Sequence, residues 1–142
     1  MAYRVLQWGT GAVGVEAIRG VLDHPGLELV GVKVYSDEKV GLDAGEIVGR
    51  PPVGVAADKP VDLEGVDCVL YAPRHPSVDE AAAILASGPN LVTTAFAFHP
   101  ARMEPSQRDR LLEACRTGGT SLHGTGLNPG NLGVIIPLAL SD

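Results

Sequence analysis

Tyr3-Arg4-Val5-Leu6-Gln7-Trp8-Gly9-Thr10-Gly11-Ala12-Val13-Gly14 is the stretch that decides the fold. Its first six residues are a β-prone run that stops at Gly9. Behind the glycines, Val13, Ala17 and Val21 recur at steps of four, as do Gly14, Ile18 and Leu22. That spacing predicts a helix with one apolar, close-packing face. Asp23-His24-Pro25-Gly26 is a strong stop. Leu27 to Tyr35 (LELVGVKVY) reads as a second strand, so the opening segment is one βαβ unit.

A lone G-x-G-x-x-G says little. Here it follows a strand, opens a helix, and is closed by a second strand. Gly9 permits the tight turn. Gly11 leaves room where a pyrophosphate approaches, and Gly14 lets helix and strand pack closely. Thr10, Ala12 and Val13 complete the turn, and the helix start offers free N–H donors. The turn is therefore expected to hold the pyrophosphate of NAD or NADP. Its dipole contributes only about 0.3–1 kcal/mol per charge, whereas micromolar binding needs about 8 kcal/mol. Both ends of the dinucleotide must make contacts of their own.

The adenosine end belongs at the tip of the second strand, Tyr35-Ser36-Asp37-Glu38-Lys39. Ser36 with Lys39 suits a 2′-phosphate, whereas Asp37 or Glu38 suits the free ribose of NAD. The balance leans slightly to NADP. The nicotinamide end belongs over the carboxyl ends of later strands. Three segments arrive there: Ala72-Pro73-Arg74-His75-Pro76, Thr93-Thr94-Ala95-Phe96, and His123 to Gly130 with Asn128.

Ser36 to Lys59 reads mostly as loop, with a short strand possible at Val53 to Ala56. Asp67 to Ala72 is a continuous apolar strand, as in a sheet covered on both faces. Ser77-Val78-Asp79-Glu80 predicts a reciprocal capping box. The helix behind it runs through Ala81 to Ala86 and stops at Gly88-Pro89. Leu91 to Thr94 is a strand. Pro105 to Arg116 is a helix with Leu111, Leu112 and Cys115 facing inward, and Thr120 to His123 is a further strand. The alternation predicts an α/β fold: a Rossmann-type, doubly wound parallel sheet in a single domain over residues 1–142.

Composition narrows the function. The 142 residues are 45% hydrophobic, so the chain is globular. A net charge of −6 argues against a nucleic-acid partner. No apolar stretch approaches the ~20 residues of a membrane span, and the N-terminus shows no signal-peptide block, so a cytoplasmic location is expected. Cys68 and Cys115 read as reduced core thiols. His75, His99 and His123 fall near strand ends, but no carboxylate or cysteine joins them at ligand spacing, so no metal is expected. His99 and Glu104 are the acid–base candidates. Glu104 also suits the start of the helix at Pro105.

Four segments together resemble the N-terminal domain of the dihydrodipicolinate reductase-like family. The family includes 2,4-diaminopentanoate dehydrogenases and related NAD(P)H-dependent amine dehydrogenases. The segments are Val5 to Gly14, Asp43-Ala44-Gly45-Glu46-Ile47, Asn90-Leu91-Val92-Thr93-Thr94, and His123-Gly124-Thr125-Gly126-Leu127-Asn128-Pro129-Gly130. The last points toward the amine-dehydrogenase side. The resemblance implies hydride transfer between a nicotinamide cofactor and an imine- or amine-type substrate. It implies that the nicotinamide lies against Ala72-Pro73 and Thr93-Thr94-Ala95. It also implies a second domain that supplies most substrate contacts, and the residues of that domain do not occur here. The apolar run Leu132 to Leu140 needs cover, from that domain or from a partner subunit in a homo-oligomer. The alternative function is a cofactor-binding or redox-sensing module without chemistry.

Overall fold

A computed structural model of the chain describes residues 1–126 and 135–141. Six strands form one sheet: β1 (Tyr3–Trp8), β2 (Leu27–Lys33), β3 (Ala57–Asp58), β4 (Cys68–Tyr71), β5 (Asn90–Thr93) and β6 (Leu122–Gly124). Their order is β3-β2-β1-β4-β5-β6, and every neighbouring pair is parallel. The helices are α1 (Ala12–Asp23), α2 (Ala44–Ile47), α3 (Val78–Ala86), α4 (Pro105–Gly118) and α5 (Ile136–Leu140). The chain leaves β1 toward β2 on one side and reaches β4 on the other. The crevice of the sheet therefore opens at the carboxyl ends of β1 and β4.

Each face of the sheet has its own core. Ile18 and Val21 of α1 pack on Val5, Leu29, Val32 and Val34, with Ala44 and Val48 beside them. On the other face, Ala81, Ile84 and Leu85 of α3 and Leu111 of α4 cover Leu6, Val69, Tyr71 and Leu91. Full burial of each large aliphatic side chain contributes about 1.5–3 kcal/mol. Among the described residues, no helix is long and apolar enough to cross a membrane.

Several elements depart from their sequence pattern. Residues 36–59 are more ordered than a loop. Asp43 caps α2, and Glu46 returns the bond to the Asp43 N–H, a complete capping box. The short strand falls at Ala57–Asp58, later than Val53 to Ala56. The N–H groups of Val53, Gly54 and Val55 all donate to the Asp43 carboxylate at 2.7–3.1 Å, so they are not available to a ladder. In α4 the inward stripe is Leu111 and Ala114, while Leu112 is 46% exposed. The stripe continues to Gly118, where an added Cβ would stand 2.0 Å from the Leu85 carbonyl oxygen. The box at α3 is half formed. Ser77 Oγ accepts from the Glu80 N–H, but the Ser77 N–H donates to the Tyr71 hydroxyl instead of to Glu80.

Candidate functional site

The glycine turn sits at the crevice, and its three glycines differ. Gly9 has φ +93°, and a Cβ there would lie 2.8 Å from the Ala72 carbonyl oxygen. A Cβ on Gly14 would lie 2.0 Å from the Gly9 carbonyl oxygen, so the helix start is packed on the turn itself. A Cβ on Gly11 would meet nothing within 4 Å. That open space is where a ligand can approach the backbone. No side chain caps α1 and no acid stands in its first turn. From below, the fully buried Gln7 donates its amide N–H to the Gly9 carbonyl at 2.9 Å. A glutamine in a buried strand position was the signal for this prop.

Gly9, Thr10, Gly11, Ala12, Val13, Ser36, Lys39, Ala72 and Pro73 line one cavity of about 640 Å³, together with Tyr35 and Arg74. Val13 is 52% exposed here, a wall of the cavity rather than part of the core. A second cavity of about 320 Å³ shares Val13, Ala72, Pro73 and Arg74 and adds Pro76, Thr94 and Ala95. Gly14 lies behind the wall. Thr93 is buried, and its hydroxyl oxygen accepts from the Ala95 N–H at 3.1 Å, so it shapes the loop that carries Thr94. Asn128 lies outside the described residues.

The walls are held by charge. Lys39 Nζ donates to the carbonyl and hydroxyl oxygens of Thr10 at 2.9 and 3.2 Å, which latches the β2 tip onto the glycine turn. Asp37 turns away and pairs with Lys59 at 2.6 Å. Asp43, two residues past Gly41, accepts four backbone N–H groups, from Gly45, Val53, Gly54 and Val55. The Val53 bond is the main reason its carboxyl sits below the usual range, against an opposing push from desolvation. On the other side of the cavity, Tyr35 is joined to Trp8 and Glu80 through its hydroxyl. Burial and the Glu80 carboxylate push that phenol up to about 12.

Arg74, in the loop after β4, carries no signature in the sequence pattern. It lines both cavities. Among the described residues no carboxylate pairs with it, whereas Arg19, Arg50, Arg108, Arg110 and Arg116 each have an acidic partner. Prolines at 73 and 76 flank it, a spacing that marked a stiff loop.

The acid–base candidates stand elsewhere. His99 precedes a 3₁₀ turn (Pro100–Arg102), and Glu104 precedes α4; both are exposed, and neither lines the two cavities. Glu104 makes no side-chain capping bond. Among the described residues, no group of three His, Cys, Asp or Glu side chains is placed to hold a metal. Cys68 and Cys115 are free thiols, and burial pushes the Cys68 thiol up, which keeps it protonated.

No family model matches the chain. An amine dehydrogenase from Streptomyces virginiae is 38% identical over 94% of this chain and 40% of its own length. A 4-hydroxy-tetrahydrodipicolinate reductase from Anaeromyxobacter dehalogenans is 34% identical over 68% of this chain and 37% of its own length. The solved structure of an amine dehydrogenase from Mycobacterium smegmatis superposes with a TM-score of 0.74 at 27% identity, over 89% of this chain and 40% of the other. The chain thus spans about two fifths of the relatives it matches. With its glycine turn at the switch point of a β3-β2-β1-β4-β5-β6 sheet, the chain is similar to amine dehydrogenases and to 4-hydroxy-tetrahydrodipicolinate reductases over that part of their length.

Proposed function

We propose that this chain is the dinucleotide-binding part of an NAD(P)H-dependent oxidoreductase acting on an imine- or amine-type substrate. One observation carries the reading: among the described residues, the charged side chains on the 640 Å³ cavity are Lys39 and Arg74, both cations, in a chain of net charge −6. The cavity also meets the uncapped start of α1 and the open face of Gly11. Together these suit a ligand with several negative charges.

Gly9 to Val13 hold the pyrophosphate through backbone N–H groups. Ser36 and Lys39 hold the adenosine end. Ala72, Pro73, Thr94 and Ala95 shape the nicotinamide end, with Thr93 supporting the loop from behind and Asn128 as a further contact. A bound nicotinamide supplies the hydride chemistry. The protein positions it and keeps its ring face toward the second cavity. His99 and Glu104 serve as proton-transfer candidates only if a substrate reaches them.

Preference for NADP over NAD follows from Asp37. That carboxylate is engaged by Lys59 and is absent from the cavity wall, which leaves Ser36 and Lys39 to face a 2′-phosphate. The hydrophobic side chains of Ile135, Ile136, Leu138 and Leu140 are 39–81% exposed. They suit cover by a substrate domain or by a second subunit.

Isothermal titration with NADPH and NADH tests the reading. NADPH should bind more tightly, and Lys39→Ala should weaken NADPH about tenfold more than it weakens NADH. Gly11→Val should abolish binding and leave thermal melting nearly unchanged, because the side chain fills the ligand's place and its Cβ meets no protein atom within 4 Å. Failure of the parent chain to bind either nucleotide overturns the proposal.

A further inference from the structure

Glu80 was expected to cap its own helix. It does something else. Its Oε2 accepts from the hydroxyls of Tyr71 at 2.7 Å and Tyr35 at 3.0 Å. Each hydroxyl has one proton, and both protons are spent on this oxygen. The lone pairs of the hydroxyls then accept in turn: Tyr71 from the Ser77 N–H at 2.9 Å, and Tyr35 from the Trp8 indole N–H at 2.9 Å. The two hydroxyls thus each donate and accept, and side chains linked in this way stiffen one another.

The network ties together the ends of β1, β2 and β4 through α3. Of its members, only Tyr35 reaches the large cavity. Its ring is half-exposed and sits two residues beyond the last residue of β2. The sheet ladder therefore does not hold it. What holds it is the hydroxyl, bonded to Trp8 and Glu80, and the ammonium of Lys33, 5.4 Å from the ring centroid. A free tyrosine here would turn among rotamers. Freezing it before a ligand arrives lowers the cost of binding.

We propose that Glu80 is a positioning residue for the cofactor: through the Tyr35 hydroxyl it fixes the aromatic wall against which the adenosine end of the dinucleotide lies. The inference rests on the cofactor reading above. Glu80 itself touches no ligand.

The experiment is a double-mutant cycle read as the Kd for NADPH by isothermal titration of the 142-residue chain. Tyr35→Phe, which keeps the ring and loses only the hydroxyl, should raise Kd about tenfold, and Glu80→Ala by no more than about tenfold. The double variant should be no worse than about tenfold, far from the product of the two. Glu80→Gln keeps an acceptor oxygen and should stay within about twofold of the parent. A purely structural Glu80 would lower the melting temperature and leave Kd alone. An unchanged Kd in Tyr35→Phe overturns the inference whether or not Glu80→Ala folds, and so do effects that multiply. If the parent chain binds neither nucleotide, the cofactor reading falls and this inference with it. If the parent binds and the variants match it, only the inference falls.

Discussion

The two ends of the crevice are built differently. At the β2 end, residues 36–59 form a long excursion that the chain pins to itself. Asp43 gathers four N–H groups, Lys39 latches onto Thr10, and Lys59 pairs with Asp37. At the other end, the residues after β5 depend on few tethers among those described: the Thr93 hydroxyl to Ala95, and a 3₁₀ turn closed by Arg102 N–H to the His99 carbonyl. This segment also holds Ala97 at φ +64°, the one non-glycine in the left-handed region among the described residues. The contrast teaches that an excursion can be long and still rigid when one carboxylate satisfies its backbone. A short loop without such an anchor stores strain instead.

Removing the anchor should have the largest effect. Asp43→Ala leaves four N–H groups without their acceptor, so the melting temperature should fall by several degrees. Amide exchange should accelerate at Val53, Gly54 and Val55 and stay unchanged at Ala95. The pH dependence has a definite sign. The folded-state pKa lies below the ordinary 3.8. The stabilisation is therefore complete above that value and is lost as the pH falls through the lowered one. The gap in melting temperature between parent and Asp43→Ala should be constant near neutrality and should close below about pH 4. A gap that persists in strong acid would mean that the Asp43 side chain stabilises this segment without its charge.

The opposite end should respond less. Thr93→Val keeps the buried shape and strips the acceptor from the Ala95 N–H, at a cost of about 1 kcal/mol in chemical denaturation. Exchange should then accelerate at Ala95 and not at Val53. The smallest effect is Ala97→Gly. Relief of the left-handed alanine and the added freedom of the unfolded glycine nearly offset each other, so stability should change by less than about 1 kcal/mol, in the stabilising direction. A clear destabilisation would show that Ala97 contributes packing, and that strain does not distinguish the two ends.

Much of this was legible in the sequence because it depends on local periodicity. The βαβ opening, the stop at Gly26, the helices at α3 and α4 and the parallel sheet all follow from apolar spacing and from glycine and proline. The wall residues near the glycine turn followed from one rule about where strands end. What escaped depended on long-range partners. The Asp43-x-x-Glu46 box was visible, yet bonds from Asp43 to residues ten to twelve positions away were not. Glu80 fitted a local capping box so well that its competitor, a tyrosine from the neighbouring strand, could not be foreseen. Arg74 needed the three-dimensional neighbourhood to show that no carboxylate among the described residues pairs with it. Leu112 was misplaced because helix phase decides between adjacent residues, and the close approach at Gly118 sets that phase.

The short β3 has one more consequence. On its outer side, the Ala57 N–H donates to the Leu42 carbonyl, and the Gly41 N–H donates to the Ala57 carbonyl, while residues 43 and 56 form an antiparallel bridge. The backbone groups that a foreign strand would seek at this border are already occupied by the molecule's own chain. Further along, the carboxylate of Asp43 occupies the next three N–H groups. The same segment that frames the crevice thus guards the sheet against edge-to-edge self-association, and loosening it would expose the molecule to aggregation as well as to heat.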